Sequence, residues 1–382
     1  MTRPGRHSSQ PKYQHVFEHL RREILSGQYQ TGQKIPSEAH LEKRFGASRI
    51  TIGRAVRDLC HQGLVERRAG SGTFVRPQPY TSPTKELAFG LLIPDLGQTD
   101  IFESICQGLA EAPAAQEHSL AWLKAPPNSA GMSLEERAWF LCQQAIARQV
   151  SGVFFTPLET VSASSPEEPW ATNTRIVQAL ENAGIPVVLL DRDIVPFPGR
   201  SGFDRVGIDN WRAGLTATSH LLDQGGCQRP LFLASSRSAA SSVEERIAGF
   251  RAAVTARGLG CESWQVQRLD LEDGSALRDM LRSHRPEAVV CANDRTAARL
   301  MQAALAEDLR VPGDLRIIGL DDVSYAGLLP VPLTTLRQPC REIGCMAMQT
   351  MLERLANPAQ PARQVLLSTT LVVRFSCGAS QS

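Results

Sequence analysis

Residues 34–76 read KIPSEAHLEKRFGASRITIGRAVRDLCHQGLVERRAGSGTFVR, and their punctuation dictates a helix, a tight turn, a second helix and a short basic hairpin. Ser37 supplies an N-cap oxygen, and Glu38 places a carboxylate beside the positive end of the helix it opens. Leu41 and Phe45, four apart, share one face. Gly46 suits a left-handed helix stop. Ser48 caps the next helix, expected over Arg49–Gln62 with Ile52, Ala55, Val56 and Leu59 buried, and Gly63 ends it. Two strands, Leu64–Arg68 and Thr73–Arg76, are joined by Ala69-Gly70-Ser71-Gly72. A helix-turn-helix of this kind lays its second helix in the major groove of duplex DNA. A glycine-rich hairpin carrying Arg67, Arg68 and Arg76 suits the phosphates beside it.

Working outward, Tyr13, Phe17, Leu20 and Ile24 form the apolar stripe of a preceding helix. Residues 1–11 are polar and read as a disordered arm rather than a signal peptide. His15, Glu18 and His19 fit the letters of an inverted zinc-protease motif, but with no third ligand they read as a solvated helix face, and no metal is expected. After the hairpin, Pro77, Pro79 and Pro83 mark residues 77–86 as a semi-rigid linker.

Charge divides at the same place. Residues 1–76 hold 14 Lys and Arg against 6 Asp and Glu, and the remainder holds 27 against 33. A basic head on an acidic body confines nucleic-acid binding to one end. The nine cysteines are scattered and contain no C-x-x-C, which argues against a zinc site or a disulfide framework and for a reducing cytoplasm. No apolar run reaches the ~18 residues of a membrane span.

From residue 87 the pattern changes to buried strands alternating with helices. The strands are Leu87–Pro94, Ser119–Lys124, Gly152–Thr156, Pro186–Asp191, Pro230–Ala234, Ala288–Ala292 and Arg316–Leu320. Continuous apolar runs of this kind suit parallel strands covered on both faces. The helices between them are Ile101–Ala112, Leu134–Arg148, Asn173–Asn182, Trp211–Gln224, Val243–Arg257 and Ala297–Ala306. This is doubly wound α/β, long enough for two lobes, with ligands expected at the carboxyl ends of the strands. Asp95, Asp191, Asp294 and Asp321 each stand just past such a strand.

The pieces IPSE, FGASRITI, RAVRDLCHQGLVERR and GSGTFV closely resemble the winged helix-turn-helix of the GntR family, over about residues 12–76. The resemblance implies DNA contacts from Ser48, Arg49 and Thr51 at the start of the recognition helix, and from Gly70, Ser71, Gly72 and Thr73 at the wing tip. Ser37, Glu38 and Arg68 fall in the same motifs. Many members carry arginines where this chain has Ala39 and Gly53, and Arg44 and Arg54 stand nearby as substitutes. The operator preference of the family is therefore not transferred.

The body also resembles the sensor of the LacI/GalR family, in GLLIPD, GIPVVLLDR, VGIDNWRAG, ERIAGF, AVVCANDRTA, VPGDLRIIGLDDV and PLTTLRQPCREIG. This implies a two-lobed, periplasmic-binding-protein-like ligand-sensing and dimerisation domain over 87–377, with three crossovers and a cleft. A GntR head on such a sensor resembles the arabinose-repressor group. By motif, Arg246 is the ligand clamp, Asp294 a hydroxyl acceptor, Asp191 and Asp321 further cleft acids with Asp209 near one, and Phe102 a stacking platform; Asp95 joins them by its place past the first strand. Leu158–Trp170 is longer than the usual loop and reads as a surface insertion or a cleft flap.

The expected function is a transcriptional repressor that binds a near-palindromic DNA operator as a homodimer and is released by a monosaccharide, without cofactor or membrane. The rivals are a ligand that strengthens DNA binding, a non-sugar ligand such as a purine, and an enzyme. The last is disfavoured because G-x-G-x-x-G after a strand, G-x-x-x-x-G-K-[ST] and G-x-S-x-G are all missing. No heptad pattern follows Arg374, which favours a dimer over a tetramer.

Overall fold

The local signals of the head are realised as side-chain contacts. The computed structural model describes residues 12–25, 28–29, 32–61, 64–68, 71–75, 87–94, 101–123, 131–159, 169–223 and 227–379. They fall into two units, Met1–Glu86 and Leu87–Ser382. The first contains α1 (Lys12–Leu25), α2 (Glu38–Phe45), α3 (Arg49–His61), β1 (Val65–Arg68) and β2 (Gly72–Val75). Ser37 Oγ accepts the His40 N–H at 3.3 Å, and Gly46 ends α2 at φ +58°. Ser48 Oγ accepts from the Thr51 N–H at 3.4 Å. Leu20, Leu41, Ile52, Ala55 and Leu59 are wholly buried where the helices meet.

One pairing was not read from the sequence. Residues 32–35 run beside β2: the Ile35 N–H donates to Thr73 O (3.0 Å) and the Val75 N–H to Gln33 O (2.9 Å). A two-stranded hairpin is marginal alone, and this third segment satisfies one of its edges. Gly72 turns the wing at φ +123°, with the Lys34 side chain lying where a Cβ would stand.

The second unit holds two six-stranded sheets. The first lobe takes β3 (Ala88–Leu92), β4 (Ser119–Trp122), β5 (Gly152–Phe155), β6 (Val187–Leu190), β7 (Asp204–Ile208) and β13 (Gln364–Leu367) in the order β13-β7-β6-β5-β3-β4. The second takes β8 (Pro230–Ser235), β9 (Val266–Leu269), β10 (Ala288–Cys291), β11 (Arg316–Asp321), β12 (Thr334–Arg337) and β14 (Thr370–Val372) in the order β14-β12-β11-β10-β8-β9. Every pairing in both sheets is parallel except β12 with β14. The helices are α4 (Ile101–Glu111), α5 (Leu134–Ala147), α6 (Pro169–Asn182) and α11 (Cys340–Ala356) in the first lobe. The second lobe has α7 (Asn210–Asp223), α8 (Ser241–Ala256), α9 (Gly274–His284) and α10 (Asp294–Ala306). The chain crosses between lobes three times: from β7 to α7, from β12 to α11, and from β13 to β14.

All seven expected strands form. The strands that the apolar-run signal missed are β7, β9, β12, β13 and β14. Among these, β9 and β14 edge the second sheet and β13 edges the first, and each is only partly buried. β12 is interior but opens with Thr334 and Thr335, whose buried hydroxyls donate to Arg374 O (3.1 Å) and Asp294 Oδ1 (2.6 Å). Buried hydroxyls are tolerated when hydrogen-bonded.

Each lobe also has one close helix crossing that only glycine permits. In α7 and α8, a Cβ on Gly214 would overlap the Arg246 carbonyl, and one on Gly249 the Trp211 carbonyl. In α4 and α11, Gly108 and Gly344 meet the backbones of Arg341 and Ile105 in the same way. The first crossing sets the height of Arg246 against the cleft.

Candidate functional site

In the head, α3 presents an exposed Arg49 with no ion-pair partner among the described residues, beside Ser48 and Thr51, whose hydroxyls lie 2.9 Å apart. Ser71 is exposed at the wing, Gly72 makes its turn, and Thr73 lies on β2. Gly70 lies outside the described residues. Ser37 is engaged as an N-cap and Glu38 in an ion pair with Arg67. Arg68 pairs with Glu66 (2.7 Å) and lies over the Phe74 ring, and Arg54 lies 3.9 Å over the Tyr13 ring.

Arg44 has partners within the head. Its guanidinium forms an ion pair with the buried Glu23 and sits over Phe45, 5.1 Å from the ring centre. The Arg44 hydrogen bond holds the Glu23 carboxyl below the usual range. Pairing the buried acid is the role this geometry gives Arg44. His19 is also taken into the head, edge-on to Phe45 and 3.3 Å from Glu23.

The second unit has a cavity of about 530 Å³ between its lobes. The first lobe contributes Phe102, Glu159, Asp191 and Arg192; the second contributes Ser242, Arg246, Asn293 and Asp321. Arg246 is held by its own surroundings: Nε donates to Asn210 Oδ1 (2.8 Å) and Nη1 to Ala292 O (2.7 Å). Arg192, 2 % exposed, pairs with Glu159, lies 3.6 Å from Asp191 and stands over the Phe102 ring at 5.5 Å. Phe102 is fully buried in the floor.

Two of the acids sit on unusual backbone. Asp191, just past β6, has φ +69°, and Asp321, the last residue of β11, has φ +121°. Left-handed residues other than glycine carry a conformational cost and concentrate at functional sites. Asp191 is 5 % exposed and its Oδ1 has no hydrogen-bond partner. Asp321 accepts from Gln338 Nε2 at 2.7 Å. Burial pushes the Asp321 carboxyl up to about 8, with Asp294 and Asp191 adding to the rise and Arg246 opposing it. Burial likewise pushes Cys340 up to about 12, helped by Asp321 and Asp191, the carboxyls that the two lobes bring to the cavity.

Asp294 and Asp209 stand elsewhere. Asp294 is wholly buried and turned inward: Oδ1 accepts from the Thr335 hydroxyl and Oδ2 from the Val323 N–H (3.0 Å), and burial pushes it up to about 7. It braces β12 and the loop after β11, while its neighbour Asn293 lines the cavity and caps α10 through the Thr296 N–H (2.9 Å). Asp209 is off the cavity wall and caps α7 by accepting the Arg212 N–H at 2.9 Å. Asp95 lies outside the described residues, as do residues 160–168 of the long loop. Leu158 is held through both backbone groups by Asn173, and Glu159 O accepts the Ala239 N–H of the other lobe at 2.7 Å. Arg192, Asn293 and Glu159 were missed. For the first two the signal was present, since each adjoins a chosen aspartate at a strand's carboxyl end.

Known proteins share both parts. Residues 12–75 match the bacterial regulatory proteins of the gntR family, and residues 218–377 match the periplasmic binding protein-like domain. The arabinose metabolism transcriptional repressor of Halalkalibacterium halodurans is 27 % identical across 97 % of this chain and 98 % of its own. That of Geobacillus stearothermophilus is 26 % identical across 96 % and 97 %. The fold is shared with a transcriptional regulator CelR–cellobiose complex, with a TM-score of 0.62, 23 % identity and coverage of 86 % and 91 %. The chain is thus a DNA-binding transcriptional regulator in which a head matching the gntR-family model precedes a body matching the periplasmic binding protein-like domain.

Proposed function

We propose that this regulator is a repressor released from a near-palindromic operator by a monosaccharide, with an aldopentose as the first class to test. Residues 12–76 bind DNA, 77–86 link, and 87–377 sense the ligand and join two copies. The observation that carries the ligand reading is the pairing, across one cavity, of Asp191 with its unpartnered buried oxygen and Asp321 beside Arg246. Carboxyls and a guanidinium over an aromatic floor suit a ring of hydroxyls, since each hydroxyl both donates and accepts. Most cleft charges are paired within their own lobe: Arg192 with Glu159, Arg237 with Asp270, Arg295 with Glu272. That balance favours a neutral guest over a charged one. The two arabinose-metabolism relatives support a pentose.

Ligand and operator each favour one arrangement of the lobes, so the coupling is reciprocal. A coupling of ~1–3 kcal/mol corresponds to roughly 5–150-fold in DNA affinity. The test is a gel shift on a selected duplex with arabinose, ribose, xylose and a purine. Release by one pentose supports the reading. Tightening by ligand, response to the purine, or turnover of the sugar each replaces it with a rival. Arg246→Gln should keep DNA affinity within about twofold while the ligand response disappears.

A further inference from the structure

Ile50, the second residue of α3, is 86 % exposed. It is the one large apolar side chain recorded as exposed among the described residues of the head. One helical turn later stands Gly53, whose absent side chain the head itself does not explain. Its φ is not positive, and a Cβ there would meet nothing nearer than Glu38 Oε2 at 3.9 Å. Glycine inside a helix is destabilising relative to alanine, so the use of the empty step lies outside the head. Ile50 and Gly53 share a face, and the exposed cations Arg49, Arg54 and Arg57 flank it. A phosphate-bearing partner matches that charge, and within its major groove only one feature is apolar: the 5-methyl group of thymine.

We propose that Ile50 reads a thymine methyl in the operator, and that Gly53 leaves the step beside it bare so that the base pair can approach. This rests on α3 being the groove helix.

The experiment first selects duplexes from a random library with the full-length protein. It then replaces each thymine of the selected duplex in turn by deoxyuridine, which differs only in lacking the methyl. One position in each bound half should lose about three- to tenfold in affinity, the scale of one methyl group taken out of water. Ile50→Ala should bind the thymine and deoxyuridine duplexes equally, and Ile50→Val should discriminate by an intermediate factor. Gly53→Ala should weaken binding to the thymine duplex by at least about threefold. Indifference of the wild-type protein to every deoxyuridine overturns the proposal without any variant having to fold, as does undiminished discrimination by Ile50→Ala. Unchanged affinity in Gly53→Ala overturns the role given to that glycine. Failure of the wild-type protein to select any duplex instead removes the DNA reading beneath it.

Discussion

Arg44 shows how one side chain's burial environment changes its meaning. In the sequence it is a spare cation near two missing arginines; in the fold it neutralises Glu23, which is 7 % exposed. Arg44→Ala should therefore lower the stability of the head by about 1.5–3 kcal/mol, the scale of a hydrogen bond to a charged group, with His19 remaining beside the carboxylate, read as a loss of denaturant midpoint. Lost DNA affinity with an unchanged midpoint would make it a contact after all. Asp321 supports a second prediction. Its folded-state carboxyl is raised from 3.8 to about 8, so between those values the folded chain holds a proton that the unfolded chain has released. Stability of the ligand-free protein should fall as pH rises from about 4 to about 8 and level off above. Asp294, raised to about 7, contributes with the same sign. Asp321→Asn should flatten the melting-temperature profile across that window; an equal slope in the variant would place the proton elsewhere. Asp294 itself was the most attractive acid by motif, yet its partners are Thr335 and Val323, residues distant in sequence whose bonds no local pattern announces.

At the level of elements, the helices that read most clearly carried caps and stripes, and the strands that read most clearly were apolar on both faces. Ser37, Gly46 and Ser48 act through neighbours three or four residues away, so their effect is local and legible. The edge strands β9, β13 and β14 were not legible, because water on one side removes the pressure for a continuous apolar run. The third segment at the wing is in the same position, since only the approach of β2 gives Gln33 and Ile35 their partners. The crossing of α7 and α8 gives a prediction at this scale. Gly214→Ala would press a methyl into the Arg246 carbonyl and Gly249→Ala one into the Trp211 carbonyl. Overpacking of this kind costs about 1–3 kcal/mol, measurable by thermal melting. Gly214→Ala should also weaken ligand binding, because the displaced carbonyl belongs to Arg246, the proposed clamp. Gly108→Ala, at the equivalent crossing in the other lobe, should destabilise comparably and disturb the ligand less; equal ligand losses would mean that the crossings do not act separately.

For the whole molecule, the expected behaviour is that of a basic head and an acidic body sharing one chain. DNA affinity should fall linearly on a log–log plot against salt, with a slope near −0.9 for each phosphate neutralised. A saturating sugar should raise sensor stability by about 2.7 kcal/mol at a concentration of 100 times its Kd; a scan in which no sugar shifts the melt would count against the cavity as the sensing site. Among the described residues no helix is long and apolar enough to cross a membrane. The architecture of both units was readable from the linear chain, because caps, turn glycines and apolar periodicity act over a few residues and report burial directly. The charge division is a count along the chain, and Asp191 and Asp321 became candidates because each stands at the end of an apolar strand, whereas Arg246 was a candidate only through the resemblance to the LacI/GalR sensor. The tertiary structure alone decided which polar groups face the cavity. It turned Asn293 outward and Asp294 inward, bound Arg44 to Glu23, and added Arg192 and Glu159 to the wall. The direction of a side chain at the end of a strand depends on what the next lobe or helix offers it, and those partners lie far away in sequence.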